Sequence, residues 1–276
     1  MPSYTAADIK ALRERTGAGM MDVKKALDEA EGDTGKAVEI LRVKGLKGIT
    51  KREGRSASNG LVAAHVDGGT GVLVEVNCET DFVAKGEKFK ELAEKVLQVA
   101  VSSGAADADA LRAADTGDGT TVQQLLDEGN ATLGEKIEVR RVARLTGGHV
   151  TSYLHRTSPD LPPQIGVLLA VDGDDTTTAR DVALHIAAMS PSVLSVAEVP
   201  EETLEAERRI AHETAVNENK PEQALPKIVE GRVKGYLKEN VLLEQAFSKD
   251  NKKTIAKVLD EAGLTATAFS RFRVGS

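Results

Sequence analysis

The side chains with most chemical reach at neutral pH are few here: one cysteine, Cys78, and five histidines, His65, His149, His155, His185 and His212. No histidine belongs to an HExxH pair or sits at zinc spacing from a cysteine, so no metal centre is expected. Cys78 closes the alternating run Val72, Val74, Val76, Cys78. That run reads as one face of a strand, where a thiol with no base nearby in sequence is a small core hydrophobe and not a nucleophile. Asp172, Asp174 and Asp175 open like a calcium loop but lack the glycine and closing glutamate of an EF-hand, so a turn and a helix cap are expected there. Gly32 to Lys36 approaches a phosphate loop without its first glycine and runs on into Ala37, and no GxGxxG follows a strand. His185 and His212 fall within helices as structural or solvated side chains. The expectation is a protein that is not an enzyme and has no cofactor.

Composition narrows what remains. The chain has 276 residues with 41% hydrophobic and 29% charged, the balance of a globular protein. Its 36 basic residues against 43 acidic give a net charge of −7, which opposes nonspecific nucleic-acid binding. Aromatics are 3% with no Trp, so base stacking is poorly supplied. Lys51, Arg52 and Arg55 could touch phosphates, but no aromatic interleaves them, and Lys47 to Asn59 (KGITKREGRSASN) reads as a solvated tether. A lone cysteine suits a reducing compartment. The start MPSYTAADIK has no apolar h-region, and no run reaches the ~18 apolar residues of a membrane span, so a cytoplasmic protein without membrane contact is expected.

The elements follow from periodicity and punctuation. Thr5 and Asp8 form a capping box before Ile9 and Leu12, with Gly17 as a stop. Val23, Ala26, Leu27 and Ala30 define the buried face of a second helix, which ends at Gly32. Asp33 caps a third, with Ala37, Ile40 and Leu41 inward and Gly45 at its end. A hairpin follows, Leu61 to Val66 and Val72 to Cys78 about the turn DGGTG. A loop, Glu79 to Val83, leads into a helix carrying Phe89, Leu92, Val96 and Val99 or Ala100 inward. Ser102 to Thr121 is polar loop with a short helix, and Gly134 to Leu145 turns into a strand. The pattern then partly repeats: strands over Val150 to His155 and Ile165 to Val171, then a helix with Val182, Ala183, Ile186 and Ala187 inward. Charged helices over Glu201 to Asn217 and Glu222 to Glu239 share only a thin apolar seam of Leu204, Ile210, Leu225, Ile228, Val229 and Val233, which suits a hairpin protruding into solvent. A helix (Ile255, Val258, Leu259, Ala262) and a strand alternating through Ala266, Ala268, Phe272 and Val274 close the chain. The fold class is α+β: a small three-helix bundle, then two similar α+β subdomains with antiparallel sheets, the second bearing the hairpin over 201–239. The boundaries expected are 1–54 for bundle and linker, 55–146 for the first subdomain and 147–276 for the second.

Several stretches carry a resemblance. They are LRERTGAGMMDVKKAL (Leu12 to Leu27), EVNCETDFVA (Glu75 to Ala84), LGEKIEVRRVA (Leu133 to Ala143), KPEQALPKIVEGR (Lys220 to Arg232) and LLEQAF (Leu242 to Phe247). Each resembles a signature of bacterial elongation factor Ts, in the family's order and across almost the whole chain. The resemblance implies a guanine-nucleotide exchange factor that binds elongation factor Tu and promotes GDP release during translation elongation. It makes the N-terminal bundle ubiquitin-associated-like. It implies that Thr80, Asp81, Phe82 and Val83 form the nucleotide-release segment, with Asp81 and Phe82 disturbing the partner's magnesium and phosphate site. It implies an N-terminal contact surface of Arg13, Thr16, Gly17, Ala18, Gly19, Met20 and Met21, and a further contact at His155. Read from the residues alone, Phe82 is a buried staple at a helix start, Asp81 a first-turn charge, and Met20 and Met21 core fillers. With the resemblance Phe82 turns outward, while at least one methionine still packs inward. Arg156 to Gln164, a proline-bearing insertion, departs from the family's pattern beside His155. No direct nucleotide binding is expected, and homodimerisation is left open. The alternative is a ubiquitin-associated-type adaptor or scaffold that binds another partner without exchange activity.

Overall fold

The computed structural model describes residues 4–16, 18–50 and 54–276. It begins with helices α1 (Ala6–Thr16), α2 (Met20–Glu29) and α3 (Thr34–Thr50). At α1 the capping box is formed: Thr5 N–H donates to Asp8 Oδ2 (2.7 Å) and Asp8 N–H to Thr5 Oγ1 (3.3 Å). Asp33 Oδ1 accepts Lys36 N–H at 3.0 Å and starts α3. Leu12, Val23, Ala26, Leu27, Ala30, Ala37 and Leu41 bury one small core. The end of α3 differs from expectation, since the helix passes Gly45 and takes up the first residues of the expected tether. A glycine costs a helix interior only about 1 kcal/mol, which tertiary contact can outweigh. Here α3 lies against the helix over Val122–Leu133. Gly17, Lys51 and Arg52 lie outside the described residues.

Strands β1 (Asn59–Asp67) and β2 (Thr70–Cys78) form the expected hairpin, with Asp67 opposite Thr70 and Gly68 at a φ of 55° in the turn. A one-turn helix α4 (Asp81–Lys85) then replaces the expected loop and leads into α5 (Glu87–Ser103). Next come α6 (Ala108–Ala113), α7 (Val122–Leu133) and β3 (Glu138–Thr146), which pairs with β2 to complete an antiparallel sheet of order β1-β2-β3. Sequence reading gave no helix over α7, although its capping box is complete: Thr121 N–H to Gln124 Oε1 at 2.9 Å and Gln124 N–H to Thr121 Oγ1 at 3.2 Å. Phe89, Leu92, Val96, Val99 and Ala100 of α5 pack on Val72, Val74, Val76 and Cys78. Both Val99 and Ala100 are buried.

The second half repeats the plan. Strands β4 (His149–His155) and β5 (Ile165–Asp172) precede α8 (Thr176–Met189), whose first turn is capped by Asp175 Oδ1 on Thr178 N–H at 2.9 Å. The acidic run is therefore a helix cap. Helices α9 (Glu201–Asn217) and α10 (Leu225–Asn240) follow, then the short pair β6 (Ala246–Phe247) and β7 (Asp250–Thr254), helix α11 (Ile255–Glu261) and strand β8 (Thr265–Arg273). The second sheet has order β4-β5-β8, again antiparallel, with α8 against it. The α+β class stands.

Two details of packing depart from the sequence reading. Ile210 is 53% exposed, while α9 buries Ala211 and Ala215, so the hairpin closes over small side chains one step around the helix. In β8 the register shifts opposite Ala170 and Val171, which turns Ala266 toward the helices with Phe269 while Ala268, Phe272 and Val274 face the first sheet. A bulge of this kind resets which face a strand's side chains occupy.

The two sheets pack face to face through Val62 and Leu73 on one side and Val150, Leu168, Ala170 and Phe272 on the other. Glycine is required at the closest approach. A Cβ at Gly71 would lie 2.6 Å from Val150 Cγ1, and one at Gly166 would lie 2.8 Å from Leu73 Cδ1. At the rim, buried Glu75 accepts from Arg141 Nε (2.7 Å) and from Gly275 N–H (3.2 Å), with the guanidinium 4.6 Å above the Phe272 ring. The proline-bearing segment returns to β1: Pro163 O accepts Val62 N–H at 2.9 Å, and Gln164 Nε2 donates to Gly60 O at 2.8 Å.

His185 is a structural side chain of α8, fully buried. Its Nδ1 accepts Ser248 N–H at 3.1 Å, which leaves Nε2 to donate to Gln245 Oε1 at 2.9 Å. The ring is therefore neutral with both nitrogens used, and burial pushes its pKa below the ordinary value, against a smaller opposing effect of the Gln245 bond.

Two outcomes follow. Gly166→Ala should lower folding stability by roughly 1–3 kcal/mol through overpacking between the sheets, read as the shift of a denaturant midpoint. For His185, an unfolded chain takes up a proton below about pH 6.5 that the folded chain refuses, so stability is full above that pH and falls as pH drops from there toward the folded pKa. His185→Gln should flatten that part of the stability profile. An unchanged slope would remove His185 as its source.

Candidate interaction site

The segment after β2 is seated by what flanks it. Val83 and Ala84 of α4 are buried in the same core as Phe89, which pins the short helix to the first sheet. The preceding side chain is thereby forced outward: Phe82 is 83% exposed, whereas Phe89, Phe247 and Phe272 are buried. Asp81 beside it is also exposed and forms an ion pair with Lys85 Nζ at 2.8 Å, one helical turn on. The hydrogen bond from Lys85 holds the Asp81 carboxyl below its ordinary pKa, so it is anionic at neutral pH. An aromatic face and a carboxylate thus stand together on a tip anchored by Val83 and Ala84.

Thr80 is the hinge of this arrangement. Its Oγ1 accepts Val83 N–H at 3.3 Å as the cap of α4 and donates to Glu135 Oε1 at 2.5 Å. Thr80 N–H donates to Glu135 Oε2 at 3.0 Å. Glu79 is held as firmly: its Oε1 accepts Lys136 N–H at 2.7 Å, its carboxylate meets Arg55 at 3.3 Å, and its carbonyl accepts from Asn59 Nδ2 at 2.8 Å. Sequence reading did not single out Glu79 or Glu135. The available signal was that both stand in stretches carrying the family resemblance. Cys78 is fully buried below, its Sγ donating to Thr80 O at 3.2 Å. Burial, aided by the charge of Glu135, pushes the thiol up to about 12, so no thiolate is available there near neutral pH.

The other expected contact residues sit on different units. Arg13 and Gly19 are exposed, Ala18 half-buried, and Thr16 Oγ1 donates to Leu12 O at 2.7 Å while accepting Ala18 N–H at 3.4 Å. Met20 and Met21, in the first turn of α2, are 59% and 63% exposed. This corrects the expectation that one of them packs inward. The buried face of α2 starts at Val23, and Tyr4, Ile9 and Ala18 pack half-buried against the bundle core. His155 ends β4, exposed, with its Nδ1 3.3 Å from Tyr153 Oη and its ring stacked on Tyr153. Three exposed groups therefore stand on the helical bundle, the first sheet and the second sheet. Among the described residues no cluster of His, Cys, Asp and Glu is arranged to hold a metal ion, and no helix is long and apolar enough to cross a membrane.

Comparison with known proteins fits this architecture. The family model described as elongation factor TS matches residues 79–276. Elongation factor Ts of Arthrobacter sp. (strain FB24) is 64% identical over 279 residues, covering 100% of both chains. The proteins of that name from Paenarthrobacter aurescens (strain TC1) and Kineococcus radiotolerans are 63% and 62% identical, again over 100% of each chain. With identity of this order along its whole length, the chain belongs to the elongation factor Ts family and acts as a translation elongation factor.

Proposed function

We propose that this protein is a guanine-nucleotide exchange factor that binds elongation factor Tu and accelerates release of GDP, with Asp81 and Phe82 as the residues that enter the partner's magnesium and phosphate site. The exposure of Phe82 on a seat fixed by Val83, Ala84 and Glu135 carries this reading. A large aromatic held rigidly in solvent fills a pocket at small ordering cost, the pattern of an interface hot spot. Thr80 and Val83 support the segment. Arg13, Thr16, Gly17, Ala18, Gly19, Met20 and Met21 form a second contact, and His155 a third. The division into 1–54, 55–146 and 147–276 assigns one contact to each unit.

The mechanism is thermodynamic coupling and needs no covalent chemistry, so the protein is not an enzyme in that sense. Magnesium and the phosphates hold the partner's nucleotide loops in place. A wedge that fits only the disturbed site weakens nucleotide binding by the same factor by which nucleotide weakens the wedge. Asp81 adds negative charge near the phosphates, which raises the cost of keeping nucleotide bound. The factor is indifferent to which nucleotide enters next.

Phe82→Ala should fold with a near-wild-type melting temperature and stimulate GDP release about ten- to hundredfold less, from the roughly 1.5–3 kcal/mol that a buried aromatic contributes. Asp81→Ala should act in the same direction, more mildly and with greater dependence on magnesium. A folded Phe82→Ala variant that exchanges at full rate would refute the wedge. On the helical hairpin, Ile228 is half-buried. Ile228→Ala should cost less than the ~2–5 kcal/mol of a full core truncation and leave GDP release intact. Loss of exchange in a folded Ile228→Ala protein would move the active surface to the hairpin.

A further inference from the structure

The two glutamates around Thr80 form a reciprocal clasp. Glu79 accepts the N–H of Lys136, and Glu135 accepts the N–H of Thr80, so each carboxylate takes the backbone donor that follows the other glutamate. The residues are 55 to 57 apart in sequence. Their strands β2 and β3 are adjacent in the sheet, and the clasp closes just beyond the last pair, Asn77 opposite Glu138. Glu135 Oε1 also accepts the hydrogen bond donated by the Thr80 hydroxyl at 2.5 Å, which leaves the lone pairs of Oγ1 for Val83 N–H. Charge-assisted bonds of this kind are shorter and stronger than neutral ones.

From this geometry we infer that Glu135 is a positioning residue for the release segment: it fixes Thr80, and through Thr80 the start of α4, so that Phe82 is aimed before any partner arrives. The inference rests on the proposed role of Phe82. Glu135 need not touch the partner. Its contribution is to remove motion that binding would otherwise have to freeze, which appears as tighter association more than as a faster maximal release. Glu135→Ala should therefore raise the half-saturating concentration for stimulated GDP release about three- to tenfold and change the maximal rate less. Thr80→Val removes the hydroxyl bond to Glu135 together with the cap on Val83 N–H and leaves the Thr80 N–H bond in place, so the shared bond should make the loss in the double variant smaller than the sum of the two single losses.

The free protein gives a partner-independent test. The sequence has no tryptophan, so Phe82→Trp creates a single probe at the tip. Fluorescence anisotropy of Phe82→Trp should be high with Glu135 present and should fall when Glu135→Ala is added, at unchanged far-ultraviolet circular dichroism. Glu135→Gln, which keeps the size and one acceptor, should lie between. It also serves as the comparison if Glu135→Ala does not fold. Unchanged anisotropy in a folded variant would overturn the clasp, whatever the release assay reports. Lower anisotropy together with unaltered half-saturation, in a protein whose Phe82→Ala variant is defective, would overturn the positioning role. Lower anisotropy alongside a fully active Phe82→Ala variant would support the clasp while removing the wedge reading itself.

Discussion

Strand β2 has no solvent face. Val72, Val74, Val76 and Cys78 pack against α5, while Leu73 meets the second sheet and Glu75 and Asn77 are buried along the same side. A strand enclosed on both faces and paired on both edges cannot slide by one residue without moving every side chain into the wrong layer. Its end is thus held from both faces and both edges, and the candidate site is attached there. The sheets approach at Gly71 and Gly166, and the Glu75–Arg141 pair joins that strand to the backbone of Arg273 and Gly275. An exposed aromatic is useful only on a base that does not yield, and β2 supplies that base.

The same strand shows where a sequence stops being legible. Alternating valines revealed one face at once. Leu73, Glu75 and Asn77 on the other include two polar residues, which by pattern alone resemble a solvated face. Glu75 is buried because Arg141 crosses to it from β3, a pairing that no local spacing announces. The helix caps at Thr5, Asp33 and Asp175 were readable because they act within three residues. The bulge in β8 was not, since it depends on pairing with a distant strand, and the overrun of α3 past Gly45 has no local signal.

At the site, residue types alone favoured a buried Phe82, and the family resemblance was needed to reverse that reading. The physical reason is geometric. One turn of helix can bury only part of its circumference, and Val83 and Ala84 take that part. Met20 and Met21 follow the same logic, standing before the first buried position of α2. Exposure is decided by which neighbour reaches the core first, and composition does not carry that information.

The segment after β4 has a consequence for the molecule in solution. Strand β1 is an outer strand of its sheet, and such a strand offers unpaired backbone groups on which another chain could pair. Here Pro163 accepts from Val62 and Gln164 donates to Gly60, so part of that edge is already occupied from within the chain. The covering segment contains Pro159, Pro162 and Pro163, which lack backbone donors and make it a poor template for further strands. What looks in sequence like a mere insertion thus covers backbone groups of β1 with which a second chain could otherwise pair.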